Sequence, residues 1–163
     1  MVELPAPLHF LRAALPSAAF EVTRLVGMNV TELMSRAVIV TTPEETIGRA
    51  LHLLEDSGVR HLPVVSGARV VGVLSDRDVR EYRLPILDEL EHQTLADDLL
   101  TRPVSQAMNR DFVYVDDQEP VTKAIDVMLE YGVGAVPVLE RETSELLGML
   151  SYVDVLRFAR SLF

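Results

Sequence analysis

The sequence predicts an α+β fold in which two β-α-β-β-α repeats pack as a pseudo-twofold pair. Three observations predict it. "GVLSDRDV" (Gly72–Val79) returns as "GMLSYVDV" (Gly148–Val155). Met34, Ala50, Gly58 and Pro63 each have a like residue 74 positions on, at Met108, Ala124, Gly132 and Pro137. From Gly72 and Gly148 onward the offset is 76, because the loop "SGAR" (Ser66–Arg69) answers to the longer "ERETSE" (Glu140–Glu145). A length change confined to a loop is what a structural repeat leaves behind. A recurring unit of this size buries its apolar face against its copy.

Each repeat opens on a short apolar run that predicts a strand, "AVIV" (Ala37–Val40) and "FVYV" (Phe112–Val115). A helix follows. Ile47, Ala50, Leu51 and Leu54, and in the second copy Val121, Ala124, Ile125 and Met128, fall at i, i+3, i+4 and i+7. Thr42-Pro43 and Glu119-Pro120 mark the expected helix starts, since proline suits a first turn. Gly58 and Gly132 stop these helices.

Two strands joined by a hairpin come next: "LPVV" (Leu62–Val65) to "VVGVL" (Val70–Leu74), and "VPVL" (Val136–Leu139) to "LLGML" (Leu146–Leu150). A second helix then opens at Ser-x-x-Asp, Ser75/Asp78 and Ser151/Asp154. The first two strands of each unit are expected to be parallel through a right-handed crossover, the third antiparallel to the second. Four segments result: an N-terminal extension 1–27, repeat one at 28–80, a connector 81–103 and repeat two at 104–160. The connector's Leu87, Leu90, Leu95 and Leu99 predict an amphipathic helix serving the core or a dimer interface. The extension is either a docking or dimer-contacting helix or a weakly ordered arm.

The 163 residues suffice for one compact domain or two small ones sharing a core. Apolar residues make up 48% and charged residues 25%, a globular balance rather than a disordered one. A net charge of −10 argues against a general nucleic-acid or anionic-membrane binder. The absence of cysteine excludes disulfides, thiolate metal sites and thiol catalysis, and fits a reducing cytoplasm. No apolar run approaches the roughly 20 residues that span a bilayer. The N-terminal stretch lacks a cationic region and is broken by Pro5, Pro7 and Pro16, unlike a signal peptide. A cytoplasmic protein is expected.

The recurrent Ser-x-x-Asp has two readings. It is a helix-capping pattern, and it is also a ligand grip, since an ionised carboxylate accepts both hydroxyls of a ribose. A serine hydroxyl at a helix N-terminus adds a donor where phosphate is already favoured. The scattered His9, His52 and His92 have no metal-ligand spacing. "YGVGAVP" follows a helix rather than opening one, so it is no phosphate-loop fingerprint. No nucleophile-elbow pattern is present, and an enzyme is not expected.

Taken together, "ELMSRAVIV" with "QAMNRDFVYV", "SGVRHLPVV" with "YGVGAVPVL", and "GVLSDRDV" with "GMLSYVDV" resemble a tandem CBS-domain pair, the Bateman module, over about residues 28–160. The bare pair looks like a stand-alone CBS protein. The resemblance implies a non-catalytic regulatory module without an obligatory cofactor. Such pairs bind adenosine-containing ligands (AMP, ADP, ATP, S-adenosylmethionine) in clefts between the repeats and usually form homodimers. Residue by residue, it implies one site from Val59, Arg60, His61, Leu62 and Pro63 with Ser75, Arg77 and Asp78. A second site joins Val133, Gly134, Ala135, Val136 and Pro137 with Ser151 and Asp154. Ser35 and Asn109, after the two methionines, are implied ligand contacts.

The copies differ in charge. Arg60, His61 and Arg77 flank the first Ser-Asp pair, whereas Gly134, Ala135 and Tyr152 stand at the positions matching Arg60, His61 and Asp76. Phosphate is therefore expected at the first site, through the bidentate, charge-assisted fork of arginine. The second is empty, holds a less charged adenosine ligand, or borrows Arg60 and His61 across the pseudo-twofold. The competing function is a constitutive dimerisation scaffold with degenerate clefts that holds an unidentified protein partner.

Overall fold

The computed structural model describes residues 27–80 and 98–161. The expectations placed on 1–26 and on 81–97 of the connector lie outside the described residues. The fold class is α+β, as the repeat predicts. Repeat one runs α1 (Val30–Leu33), α2 (Ile47–Ser57), β1 (His61–Ser66), β2 (Arg69–Ser75) and α3 (Asp76–Arg80). Repeat two runs a 3-10 turn (Val104–Gln106), β3 (Val115–Asp116), α4 (Val121–Tyr131), β4 (Ala135–Leu139), β5 (Leu146–Ser151) and α5 (Tyr152–Ser161).

α2 starts later than Thr42-Pro43. Residues 42–45 form a turn, with the Glu45 N–H on the Thr42 carbonyl. The Thr46 hydroxyl then accepts from the Arg49 N–H at 3.2 Å and caps the helix. Pro120 stands at the N-cap of α4, one residue outside the helix. Gly58 and Gly132 end α2 and α4 at φ of 66° and 65°, the left-handed conformation that favours glycine. Ile47, Ala50 and Leu54 of α2, like Val121, Ala124 and Met128 of α4, are buried, as their spacing predicts. Fully burying a side chain such as Ile47 is worth about 1.5–3 kcal/mol.

β1 pairs antiparallel with β2, and β4 with β5, each ladder shifting register at the matching place, Val64/Val65 and Val138/Leu139. β3 pairs parallel with β4. In repeat one the parallel strand is reduced to a single bridge, Thr41 to Val64. "AVIV" is thus no strand, and "FVYV" contributes only Val115. The cause is proline. Thr41 N–H donates to the Pro63 carbonyl and Val65 N–H to the Thr41 carbonyl. Two residues earlier the same register needs an N–H from Pro63, which has none. Pro137 ends the second parallel strand in the same way.

The repeats exchange their first segments. Val30 N–H donates to the Glu119 carbonyl at 3.0 Å and Val121 N–H to the Met28 carbonyl at 2.8 Å. The equivalent pair is Val104 to Glu45 at 2.8 Å and Ile47 to Arg102 at 2.9 Å. Met28, Val30 and Met34 accordingly lie in the core under β4 and β5, whereas Val104 and Met108 lie in the core under β1 and β2. Gly72 and Gly148 recur because of this exchange. A Cβ on Gly72 would sit 2.8 Å from the Met108 sulfur, and one on Gly148 2.5 Å from the Met34 sulfur.

Candidate functional site

The exchange opens two clefts between the repeats. Cleft A, about 470 Å³, is walled by Ser75, Arg77 and Asp78 from repeat one and by Asn109, Val133 and Gly134 from repeat two. Cleft B, about 340 Å³, is walled by Ser151 and Asp154 from repeat two and by Ser35 and Val59 from repeat one. Arg60, His61, Gly134, Ala135 and Tyr152 line both and form the partition between them.

This pairing corrects the sets drawn from the sequence. Val59 faces the Ser151/Asp154 cleft and not Ser75/Asp78, and Val133 faces Ser75/Asp78 and not Ser151/Asp154. Arg60 and His61 end at the partition because β1 begins there, with His61 directly across from Ser75. Leu62, Pro63, Val136 and Pro137 are in neither cleft wall; all four are buried in the sheets, Leu62 and Val136 completely.

Both Ser-x-x-Asp pairs are closed capping boxes. The Ser75 N–H and hydroxyl each donate to Asp78 Oδ2 at 2.7 Å, and the Asp78 N–H donates to Ser75 Oγ at 3.3 Å. Ser151 and Asp154 repeat the arrangement, with Ser151 N–H to Asp154 Oδ2 at 2.9 Å and Asp154 N–H to Ser151 Oγ at 3.3 Å. Capping engages Oδ2 alone. Oδ1 of each carboxylate stays outside the box, so one side chain can cap a helix and still accept from a ligand.

The partition is tightly fitted. A Cβ on Gly134 would lie 3.1 Å from His61 Cε1 and 3.3 Å from Tyr152 Cε1, so the two rings close over a residue with no side chain. Arg60 Nη1 donates to the Tyr152 hydroxyl at 3.3 Å. Burial pushes the His61 imidazole below its ordinary value, outweighing the nearby Asp76 and Asp78 carboxylates, with Arg77 and Arg60 adding to the depression. His61 is therefore neutral at pH 7 and offers the partition hydrogen-bonding capacity without charge.

Sequence reasoning missed several wall residues. Arg157 lies in cleft B, its Nη1 4.0 Å from Asp154 Oδ1; the i, i+3 spacing on one helix face was the available signal. Asp76 and Asp111 add carboxylates to cleft A. Phe112 and Val113 line cleft A, and Val38 and Ile39 line cleft B. These are the segments that Pro63 and Pro137 keep out of the sheets. Among the described residues no cluster of His, Asp or Glu could hold a metal ion, and no helix is long and apolar enough to cross a membrane.

Two repeats with exchanged first segments, enclosing a cleft at each capping box, define a paired-repeat module with two clefts between its repeats. The CBS domain model matches the chain twice, at residues 30–85 and 104–161, and the chain belongs to the CBS domain family. A CBS domain-containing protein of Dictyostelium discoideum is 32% identical over 129 residues, spanning 78% of this chain and 88% of the relative. The structure of CBSX2 in complex with AMP is 27% identical, with a TM-score of 0.68, covering 83% of this chain and 98% of that one; CBSX2 is a CBS-pair protein of Arabidopsis thaliana. Protein MJ1225 of Methanocaldococcus jannaschii shares the fold at a TM-score of 0.73 and 24% identity, over 87% of this chain and 51% of that one.

Proposed function

We propose that this chain is a non-catalytic regulatory module of the cytoplasm that binds adenosine-containing ligands in clefts A and B and works as a homodimer. Segments 28–80 and 104–160 act as its two repeats, joined by the 81–103 connector. One observation carries the proposal: each cleft joins the capping box of one repeat to a loop of the other. A ligand seated there touches both repeats, so it favours one relative arrangement over others, and differential affinity is what a switch requires. Asp78 and Asp154 would take the ribose hydroxyls through Oδ1. The Val38–Ile39 and Phe112–Val113 segments, left outside the sheets, would frame the base with apolar walls, aliphatic in cleft B and partly aromatic in cleft A, and with backbone groups. The AMP held by CBSX2 supports the ligand class.

The test is a thermal-shift series of AMP, ADP, ATP and S-adenosylmethionine on the purified chain, with its molar mass measured by light scattering. A ligand at 100 times its Kd adds about 2.7 kcal/mol of stability. A flat response across the series refutes ligand sensing and leaves the scaffold, which the internally satisfied capping boxes would allow.

A further inference from the structure

The clefts share one partition but not one charge. Cleft A holds Asp76, Asp78 and Asp111 against Arg77. Asp76 is engaged by Arg80 Nη2 at 2.9 Å, which leaves two carboxylates facing one guanidinium. Cleft B holds Asp154 against Arg157. Among the described residues Arg60, in both walls, is the remaining cation, and burial lowers the pKa of His61 beside it, which favours the neutral imidazole. One guanidinium cannot complete two phosphate sites at once. In cleft B it joins Arg157 and makes two cations to one carboxylate; in cleft A it only balances the acids already there.

Resting on the adenosine reading above, we propose that the two clefts are specialised: cleft B takes the phosphate-bearing adenosine ligand, held by Arg157 and Arg60, and cleft A takes an adenosine ligand without phosphate. This reverses the expectation that Arg60, His61 and Arg77 assemble the phosphate site at Ser75/Asp78. Arginine suits the role because its fork binds phosphate oxygens in pairs. The Arg157 side chain is 78% exposed, so a phosphate can recruit it without breaking a buried contact. A phosphate in cleft A would instead face the carboxylates of Asp78 and Asp111. Arg60 already reaches across the partition to the Tyr152 hydroxyl, at the start of the helix that carries Asp154 and Arg157.

The experiment is isothermal titration of the full chain with AMP and with adenosine. One tight AMP per chain is expected, with adenosine still binding to the AMP-saturated protein. Arg157→Ala should lower the ratio of AMP to adenosine affinity at least tenfold, and Arg157→Lys should keep part of it. The surface control Arg141→Ala should leave the ratio as it was. Asp111→Asn, which relieves cleft A of a carboxylate, should strengthen a second, weaker AMP site several-fold. A larger loss of AMP binding from Arg77→Ala than from Arg157→Ala overturns the assignment while keeping the adenosine reading. Two equal AMP sites per chain do the same. No binding of either ligand overturns both.

Discussion

The Met34 sulfur occupies the place where a side chain on Gly148 would begin: a Cβ there would stand 2.5 Å from Sδ and 2.9 Å from the Ser35 carbonyl oxygen. Ser35 and Met149 exchange backbone hydrogen bonds at 2.9 and 3.0 Å, as Asn109 and Val73 do on the other side. Contact and ladder together fasten the first segment of each repeat to the last strand of the other. The two repeats therefore cannot separate without breaking both cores.

The first prediction concerns that fastening. Gly148→Ala adds one methyl group to a space already filled, and its φ lies outside the left-handed region, so the cost is steric alone. Overpacking of this kind costs typically 1–3 kcal/mol. Chemical denaturation should show that loss in Gly148→Ala and a comparable one in Gly72→Ala. Shortening the opposing side chain with Met34→Ala in the Gly148→Ala background should cost less than Met34→Ala does in the native background. Additive costs in that double-mutant cycle contradict the contact.

Thr41 supplies the second. Its Oγ1 is buried without a hydrogen-bond partner among the described residues, and its equivalent in repeat two is Val115, 1% exposed. A buried hydroxyl left unsatisfied costs about 1–3 kcal/mol. Thr41→Val keeps the branched shape and removes the hydroxyl, so the variant should gain about 1 kcal/mol in denaturant unfolding. Thr41→Ser, which keeps the hydroxyl and loses a methyl, should lose stability.

The outcome of the sequence reading divides along physical lines. Hairpins, the left-handed glycines and the buried faces of α2 and α4 rest on local rules, and they were legible from single segments. The parallel strands were not, because apolar composition predicts burial but not whether Pro63 and Pro137 leave a ladder intact. The cleft partners were not either. Like residues 74 apart show that two units match, yet nothing in that spacing says that Met34 crosses to the core of repeat two or that Val59 faces Asp154. Arg157 went unseen because its counterpart segment in repeat one gives it no repeated motif to belong to.

The third prediction follows from His61. Burial lowers its folded pKa below the ordinary 6.5, so the unfolded chain takes up the proton more readily than the folded one. Its contribution to stability is complete above pH 6.5 and is lost as pH falls through 6.5 toward the folded value. Between pH 7.5 and 5.5 the native chain should lose more stability in urea unfolding than His61→Gln, which cannot titrate. The limiting slope is about 1.4 kcal/mol per pH unit for one proton. Parallel profiles for the two proteins would mean that Asp76 and Asp78 stabilise the imidazolium enough to cancel its burial.

The fourth prediction separates cap from grip at the two Ser-x-x-Asp pairs. Asp78→Asn and Asp154→Asn keep the shape of the side chain but remove the charge and half of the acceptors. A damaged cap should cost on the order of 1 kcal/mol in either variant, since the two boxes are closed alike. Ligand affinity should respond differently at the two positions. Hydrogen bonds to a charged group are worth about 1.5–3 kcal/mol, so losing the carboxylate of Asp154 should weaken AMP roughly tenfold or more. Asp78→Asn should instead act on adenosine bound beside AMP, because Asp78 stands in the other cleft. Calorimetric titration paired with thermal unfolding reads both quantities on the same samples. If stability falls by that amount in both variants while neither affinity moves, Ser75/Asp78 and Ser151/Asp154 are caps and nothing more.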